Sequence, residues 1–149
     1  MSVERKICVF SLSRADLSFT FSVGIKGAIY WLEGKRMPPH RYYFCRSKPK
    51  NGLPPGSIIL FSFDGQIFGQ TIVRDDIKHL SPEELDKERK APKSNKYKYY
   101  VTLDPESIEI FRFHPTKEEI TEQMELRFAQ LYTYLDPAQY DQIIKMARR

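Results

Sequence analysis

The chain has 149 residues, of which 41% are hydrophobic and 29% charged, and a formal net charge of +5. This length and composition are typical of one globular domain and exclude an intrinsically disordered chain. Its longest apolar runs are far shorter than the roughly 20 residues of a membrane-spanning helix, so we expect no membrane partner. We predict a single domain over residues 1–149, with residues 114–149 as a C-terminal helical part.

The two cysteines and the N-terminus indicate the cellular compartment. Cys8 and Cys45 lie in apolar, strand-like surroundings without metal-ligand spacing, which is typical of thiols in a reducing compartment. No long apolar run follows the first six residues, so the sequence shows no secretory signal. We therefore predict a cytoplasmic protein.

Positive charge is unevenly distributed along the chain. Residues 1–102 contain 18 Lys and Arg against 10 Asp and Glu, whereas residues 103–149 contain 6 against 9. No acidic residue occurs between Glu33 and Asp64. Such one-sided charge attracts polyanions, although an ordinary solvated basic surface is the alternative. The residues that we predict to contact phosphate are Lys26, Lys35, Arg36, Arg41, Arg46 and Lys48.

The first part of the chain predicts short strands. Residues 6–12 and 41–46 have the β-branched and aromatic content of strands. The segment between them that covers residues 18–31 is apolar, contains two glycines three positions apart and ends in Tyr30 and Trp31. Its pattern does not decide between strand and helix.

A β-hairpin is the clearest element of the sequence. Residues 57–63 and 66–73 flank Asp64-Gly65, a pair that tolerates the positive φ values of a two-residue type I′ turn. Gly69 inside the second strand indicates a bulge or a place where another group packs close to the backbone.

A polar segment, residues 75–95, follows the hairpin. Within it, Ser81 is an N-cap and is followed by proline and two acidic residues, so a short helix is predicted to begin there. Residues 96–103 then alternate in character, and residues 107–113 predict a further strand. The alternation places one set of side chains on a common face, namely Tyr97, Tyr99, Val101 and Leu103.

The pattern becomes helical at Thr116, where Glu119 completes a capping box. Apolar residues then recur at helical spacing as far as Leu135, which predicts one helix across this interval. Asp136-Pro137 begins a second helix. The two apolar stripes are Ile120, Met124, Phe128, Leu131 and Leu135, followed by Tyr140, Ile143, Ile144 and Ala147.

These elements together predict the fold class. About six short strands, separated by turns, precede two closing helices, which favours a mainly antiparallel sheet that curls into a small open barrel. We predict an α+β fold in which short helices flank this barrel and two C-terminal helices plug or cover it.

Sequence patterns of catalysis and metal binding are absent. His40, His79 and His114 are isolated beside turns or loops, and the sequence contains no His-x-x-x-His pair, Cys-x-x-Cys pair or glycine-rich phosphate loop. The paired carboxylates Asp75-Asp76 and Glu83-Glu84 lie in the polar segment, where charges are typically solvated. We expect binding without catalysis, no cofactor and no metal.

Aromatic residues interleave with the basic ones between residues 30 and 46. Such a surface suits single-stranded or flipped-out bases, because rings stack on the bases while Lys and Arg hold the backbone. Trp31 is the main candidate, since it is the only Trp of the chain and adjoins the basic stretch. A core Trp is the alternative. Tyr42, Tyr43 and Phe44 are consecutive, so at least one of them must face opposite to the others.

A resemblance rests on residues 56–69, which read Gly-Ser-Ile-Ile-Leu-Phe-Ser-Phe-Asp-Gly-Gln-Ile-Phe-Gly. Preceded by a glycine-bearing segment and a basic stretch, this arrangement resembles the PUA-like superfamily, particularly its EVE and YTH branches, over residues 5–113. The resemblance implies a small barrel that reads RNA or modified DNA bases in an aromatic pocket. The base-binding residues that it implies are Ser22, Tyr30, Trp31 and Tyr42.

This resemblance also implies a partner and a role. EVE-like modules flip and inspect methylated bases in modification-dependent restriction systems, so it implies a reader of DNA rather than RNA that acts with a larger effector polypeptide or subunit. The second Trp that YTH domains place after the glycine-bearing strand has no counterpart in residues 75–95. Two alternatives stay open: an RNA-binding, small-ligand or enzymatic barrel of the ASCH type, and a protein-interaction module that uses the terminal helices.

Overall fold

The computed structural model of the protein describes residues 4–12, 24–44, 48–90, 97–129 and 131–148. Its strands are β1 (Ile7–Leu12), β2 (Arg41–Phe44), β3 (Ile58–Phe63), β4 (Gln66–Ile72), β5 (Lys78–His79), β6 (Tyr99–Thr102), β7 (Glu109–Ile110) and β8 (Tyr132–Tyr134). Its helices are α1 (Ile25–Gly34), α2 (Pro82–Lys90), α3 (Lys117–Gln123) and α4 (Pro137–Ala147), and Pro105–Ser107 form a 3-10 turn.

The described strands form two sheets. The larger sheet has the order β7-β4-β3-β1-β8 and the smaller one β2-β6-β5. Pairing is antiparallel throughout these sheets, except that β1 runs parallel to β3. A bridge between Val73 and Leu103 joins the two sheets. Both strand orders are linear, so neither sheet closes on itself within the described residues, and the predicted α+β fold with mainly antiparallel strands is confirmed.

The predicted hairpin is confirmed as β3 and β4. Asp64 and Gly65 connect these strands with φ values of 50° and 75°, the left-handed values that a type I′ turn requires. Farther along β4 the pairing register shifts, which leaves Phe68 as the extra residue of a bulge.

Gly69, next to this bulge, is a place where α1 and β7 pack closely against β4. A Cβ atom at Gly69 would lie 2.6 Å from Leu32 Cδ2 and 2.8 Å from the backbone oxygen of Glu109. A backbone oxygen in a strand has little room to move, so this packing requires glycine. The predicted close backbone approach is therefore confirmed.

The larger sheet is buried on both faces, and all six residues of β3 are buried. Alternate side chains of β1 and β3 enter two separate core clusters. One cluster lies where α1 and the two sheets meet, and the other lies beneath α3 and α4. The first includes Phe10, Leu32, Phe44, Phe61 and Val101, and the second includes Val9, Leu60, Ile67, Ile120 and Ile143.

Capping residues predict the starts of three helices correctly. The side-chain oxygens of Ser81, Thr116 and Asp136 accept hydrogen bonds from the backbone N–H three residues later, at 3.2, 3.0 and 2.7 Å. These bonds satisfy N–H groups that have no partner inside the helix. No helix within the described ranges is long and apolar enough to cross a membrane.

The predicted helix from Thr116 to Leu135 is wrong beyond Gln123. The chain leaves helical conformation there, and β8 pairs with β1 in the larger sheet. The edge of β1 presents backbone groups that need hydrogen-bond partners, and the Tyr-Thr-Tyr sequence of β8 suits a strand. Apolar spacing alone does not contain this information. The strand predicted over residues 107–113 is also shorter, since only Glu109–Ile110 pair.

Candidate nucleic-acid interface

Trp31 lies on α1 where this helix meets both sheets. Ala28 and Leu32 are buried against the core, whereas Trp31 lies at the margin and is half-buried. Its ring is nearly perpendicular to that of Phe61, with centroids 5.5 Å apart and an interplanar angle of 85°. Trp31 is therefore both part of the aromatic core and partly open at the surface.

Tyr42 is the predicted site residue that the structure places directly beside Trp31. Their ring centroids are 5.9 Å apart with an interplanar angle of 76°. Tyr42, itself half-buried, also contacts Phe10 at 5.2 Å and Phe44 at 5.2 Å. These contacts hold Tyr42 in place without any ligand. The rings in contact around Trp31 and Tyr42 form one aromatic group, which consists of Phe10, Trp31, Tyr42, Phe44 and Phe61.

Lys35, which follows α1, is the predicted phosphate-binding residue that lies at this group. Its Nζ is 5.0 Å from the centroid of the Trp31 ring, a cation–π contact. Burial lowers the pKa of Lys35 to about 8. Its backbone oxygen is hydrogen-bonded to Nδ1 of His40 at 2.5 Å, which anchors the connection to β2.

Lys26 and Tyr30 lie one helical turn apart on the outer face of α1. Lys26 is exposed, and Tyr30 is 78% exposed. Although Tyr30 precedes Trp31, one helical step of about 100° turns its side chain away from the aromatic group. These two residues can meet a ligand only outside the Trp31–Tyr42 pair.

Two further predicted residues lie elsewhere. Arg36 donates a hydrogen bond from Nη2 to the backbone oxygen of Ile108 at 3.1 Å, near β7. The Nζ of Lys48 is 5.8 Å from the ring of Tyr99 on β6. Ser22 and Arg46 lie outside the described residues.

Arg41 lies on the opposite face of β2 from Tyr42, since successive side chains of a strand alternate. Its guanidinium carbon is 4.2 Å from the ring centroid of Tyr100, and its Nη1 is 3.4 Å from Oε2 of Glu84. The predicted phosphate-binding residues therefore do not converge on one surface.

The face of β2 that bears Arg41 is the outer face of the smaller sheet. It also bears aromatic residues, which are not among the predicted site residues. Tyr43 and Tyr100 are register partners on β2 and β6. The alternation in the sequence predicts that Tyr97 shares a face with Tyr99, but Tyr97 contacts Tyr43 on the outer face. The reason is that Tyr97 precedes β6, so the side-chain alternation of that strand does not extend to it. The signal that could have identified this face is the adjacent pairs Tyr42-Tyr43 and Tyr99-Tyr100, since one member of each pair must face outward.

The titratable groups show one further feature of the core. Burial raises the pKa of the Cys8 thiol to about 12, so Cys8 is protonated and a poor nucleophile. Across the described ranges, no group of three or more His, Cys, Asp or Glu side chains is arranged to hold a metal ion.

Solved structures of known proteins are similar to this chain, whereas no protein-family model and no curated protein matches it. ASCH from Zymomonas mobilis is 14% identical, with a TM-score of 0.60 over 98% of this chain and 99% of that chain. Rpa0253 from Rhodopseudomonas palustris is 8% identical, with a TM-score of 0.60 over 95% of this chain and 92% of that chain.

A DNA-binding domain has a similar structure. The N-terminal domain of McrB from Thermococcus gammatolerans, solved bound to m5C DNA, is 11% identical, with a TM-score of 0.58 over 95% of this chain and 98% of that chain. At such identities the likeness concerns the fold. The match extends over nearly the whole of each chain, and this chain therefore shares the fold of these three proteins.

Proposed function

We propose that this chain is a nucleic-acid-binding domain without catalytic activity, which recognises a modified or flipped-out base beside Trp31 and Tyr42. The observation that carries the proposal is the half-buried Trp31 ring, supported at its margin by aromatic residues and contacted by the ammonium of Lys35. The similar McrB domain is bound to m5C DNA, which favours a methylated DNA base over RNA.

The aromatic contacts of Trp31 make it a suitable stacking surface. A base that stacks on an aromatic ring gains roughly 1–3 kcal/mol. Phe61 and Tyr42 already hold the indole, so little side-chain entropy is lost when a base binds. A base placed on the ring face that Lys35 contacts would displace its ammonium, which could then contact the phosphate of the same nucleotide.

A domain that recognises a base but has no catalytic activity needs another protein to act on the bound nucleic acid. We therefore propose that the chain acts in the cytoplasm with a larger effector polypeptide or subunit, as the recognition module of a modification-dependent restriction system. The similarity to ASCH keeps an RNA-binding or small-ligand role as the second candidate.

Binding to labelled oligonucleotides across a salt series tests the proposed function. Because bound cations release counterions from the phosphates, the logarithm of the affinity should fall with the logarithm of salt with a slope of about −2 to −4. The same sequence is measured as DNA with and without m5C and as RNA. An affinity that is independent of salt, or a mononucleotide that binds as tightly as the polymer, would contradict the proposal.

The pH dependence of binding tests the role of Lys35. The pKa of this residue is about 8 in the free protein, against an ordinary value of 10.5, and a bound phosphate raises it again. Binding then takes up a proton above pH 8, so the affinity should fall as pH rises, by up to about tenfold per pH unit. Isothermal titration calorimetry in two buffers of different ionisation enthalpy measures this uptake.

Lys35→Arg is the matched control, because arginine keeps its charge across this pH range. We expect its affinity to be nearly independent of pH between about pH 8 and 10. The stability of the free protein changes in the opposite direction: since folding lowers the pKa of Lys35, its contribution to folding increases as pH rises from about 8 to 10.5. Equal pH profiles for the original protein and Lys35→Arg would rule out this role of Lys35.

A further inference from the structure

The outer face of the smaller sheet bears three half-buried tyrosines, Tyr97, Tyr43 and Tyr100, which we call the tyrosine row. The centroids of Tyr97 and Tyr43 are 5.2 Å apart with an interplanar angle of 34°. Those of Tyr43 and Tyr100 are 6.1 Å apart with an angle of 45°. The rings are thus inclined to one another by less than a right angle and form a continuous aromatic surface.

The tyrosine row is separate from the Trp31 site. Tyr42 and Phe44 point from β2 into the core, where Tyr42 contacts Trp31. Tyr43 lies between them in the chain, so strand alternation directs it to the opposite face. A ligand bound to the tyrosine row would therefore lie on the face of the smaller sheet opposite to the one that Trp31 contacts.

Basic side chains border the tyrosine row. The guanidinium carbon of Arg41 is 4.2 Å from the ring centroid of Tyr100. Lys78 is the register partner of Tyr100 on β5, so it lies on the same face, and it is exposed. Lys98, next to Tyr97 in the chain, is also exposed.

Glu84 of α2 forms an ion pair with Arg41. Its Oε2 is 3.4 Å from Nη1 of Arg41, and the two side chains are 41% and 33% exposed. An ion pair that is exposed to this degree adds little to stability. A phosphate can therefore replace Glu84 as the partner of Arg41 at small energetic expense.

We propose that the tyrosine row is a second nucleic-acid contact that binds a single-stranded segment adjoining the recognised base. Bases stack on the rings and displace the Arg41 guanidinium from the face of Tyr100, so that Arg41 and Lys78 contact phosphates. A duplex does not fit this role, because its paired bases are stacked on one another and their faces are covered. Stacking accepts every base, so this contact adds affinity without sequence preference. The inference rests on the proposed function, since it requires that the chain binds nucleic acid.

The experiment compares a blunt duplex with the same duplex that has a single-stranded oligothymidylate extension of about 12 nucleotides. We expect the extension to raise the affinity of the original protein. Tyr43→Leu and Tyr100→Leu should each weaken binding of the extended duplex by about five- to hundredfold and leave binding of the blunt duplex unchanged. Phe113→Leu is the matched control, because Phe113 is a 43% exposed ring outside the tyrosine row, and it should bind both oligonucleotides normally.

A second variant acts in the opposite direction and does not depend on removing a ring. Glu84→Gln removes the charge that competes with phosphate for Arg41, so the affinity for the extended duplex should rise by up to about fivefold. Glutamine keeps a side-chain oxygen that can accept the hydrogen bond from the Ser81 N–H, which the carboxylate accepts at 3.1 Å. α2 should therefore keep its cap.

The outcomes separate this inference from the proposed function. If the original protein binds neither oligonucleotide, the proposed function fails. The inference is overturned, while the proposed function stands, under two conditions. The original protein binds the blunt and the extended duplex with equal affinity, and the tyrosine variants and Glu84→Gln have the same affinities as the original protein. If these variants change only the self-association measured by sedimentation, the tyrosine row is a protein contact and the inference is likewise overturned.

Discussion

Trp31→Leu is expected to abolish the preference for the recognised base while the nonspecific affinity for nucleic acid remains. Leucine keeps apolar contact with Phe61 and Tyr42, but it has no ring on which a base can stack. The loss should lie between about fivefold and hundredfold, which corresponds to roughly 1–3 kcal/mol of stacking. The measurement is the ratio of dissociation constants for oligonucleotides with and without the modified base.

Two further measurements make this result interpretable. Trp31→Phe keeps a smaller ring and should retain part of the base preference, whereas thermal unfolding shows whether either variant loses stability. A folded Trp31→Leu protein with unchanged base preference would place the base elsewhere. A variant that does not fold would show that the main role of Trp31 is in the core, beside Phe61.

A chain that lacks residues 131–149 is expected not to fold, although the sequence alone predicts residues 114–149 only as a C-terminal helical part of the domain. Deletion removes β8, which covers the edge of β1, and α4, which places Ile143 and Ala147 in the second core cluster. Val9 and Leu60 would then lose the apolar cover that α4 provides. Since a domain of this size is stable by only about 5–15 kcal/mol, this loss should eliminate the cooperative unfolding transition in circular dichroism.

Point variants of α4 provide the control for this deletion. Ile143 is fully buried, so Ile143→Ala should lower the free energy of unfolding by about 2–5 kcal/mol. Gln142 is its exposed neighbour, and Gln142→Ala should change that free energy by less than about 0.5 kcal/mol. A shortened chain that still unfolds cooperatively would show that the C-terminal part is dispensable for folding.

The candidate site could be predicted only in part. Trp31, Tyr42 and Lys35 are close in the sequence, and the structure brings them into contact. Arg36 and Arg41 belong to the same basic stretch but face other surfaces. Charge composition reports how many cations a segment contains, whereas the direction of each depends on its element and on strand alternation.

Local signals determined those parts of the fold that depend on near neighbours in the chain. The Asp64-Gly65 turn and the caps at Ser81, Thr116 and Asp136 involve a few consecutive residues, so the sequence by itself predicts them.

Only the tertiary structure decided which elements pair and which faces remain open. β8 is a strand because β1 offers it backbone hydrogen bonds from more than a hundred residues earlier in the chain. The tyrosine row exists because β2 and β6, which are distant in the sequence, pair in a register that aligns Tyr43 with Tyr100. Such pairings depend on long-range backbone hydrogen bonds and shared burial, which local composition and periodicity do not specify.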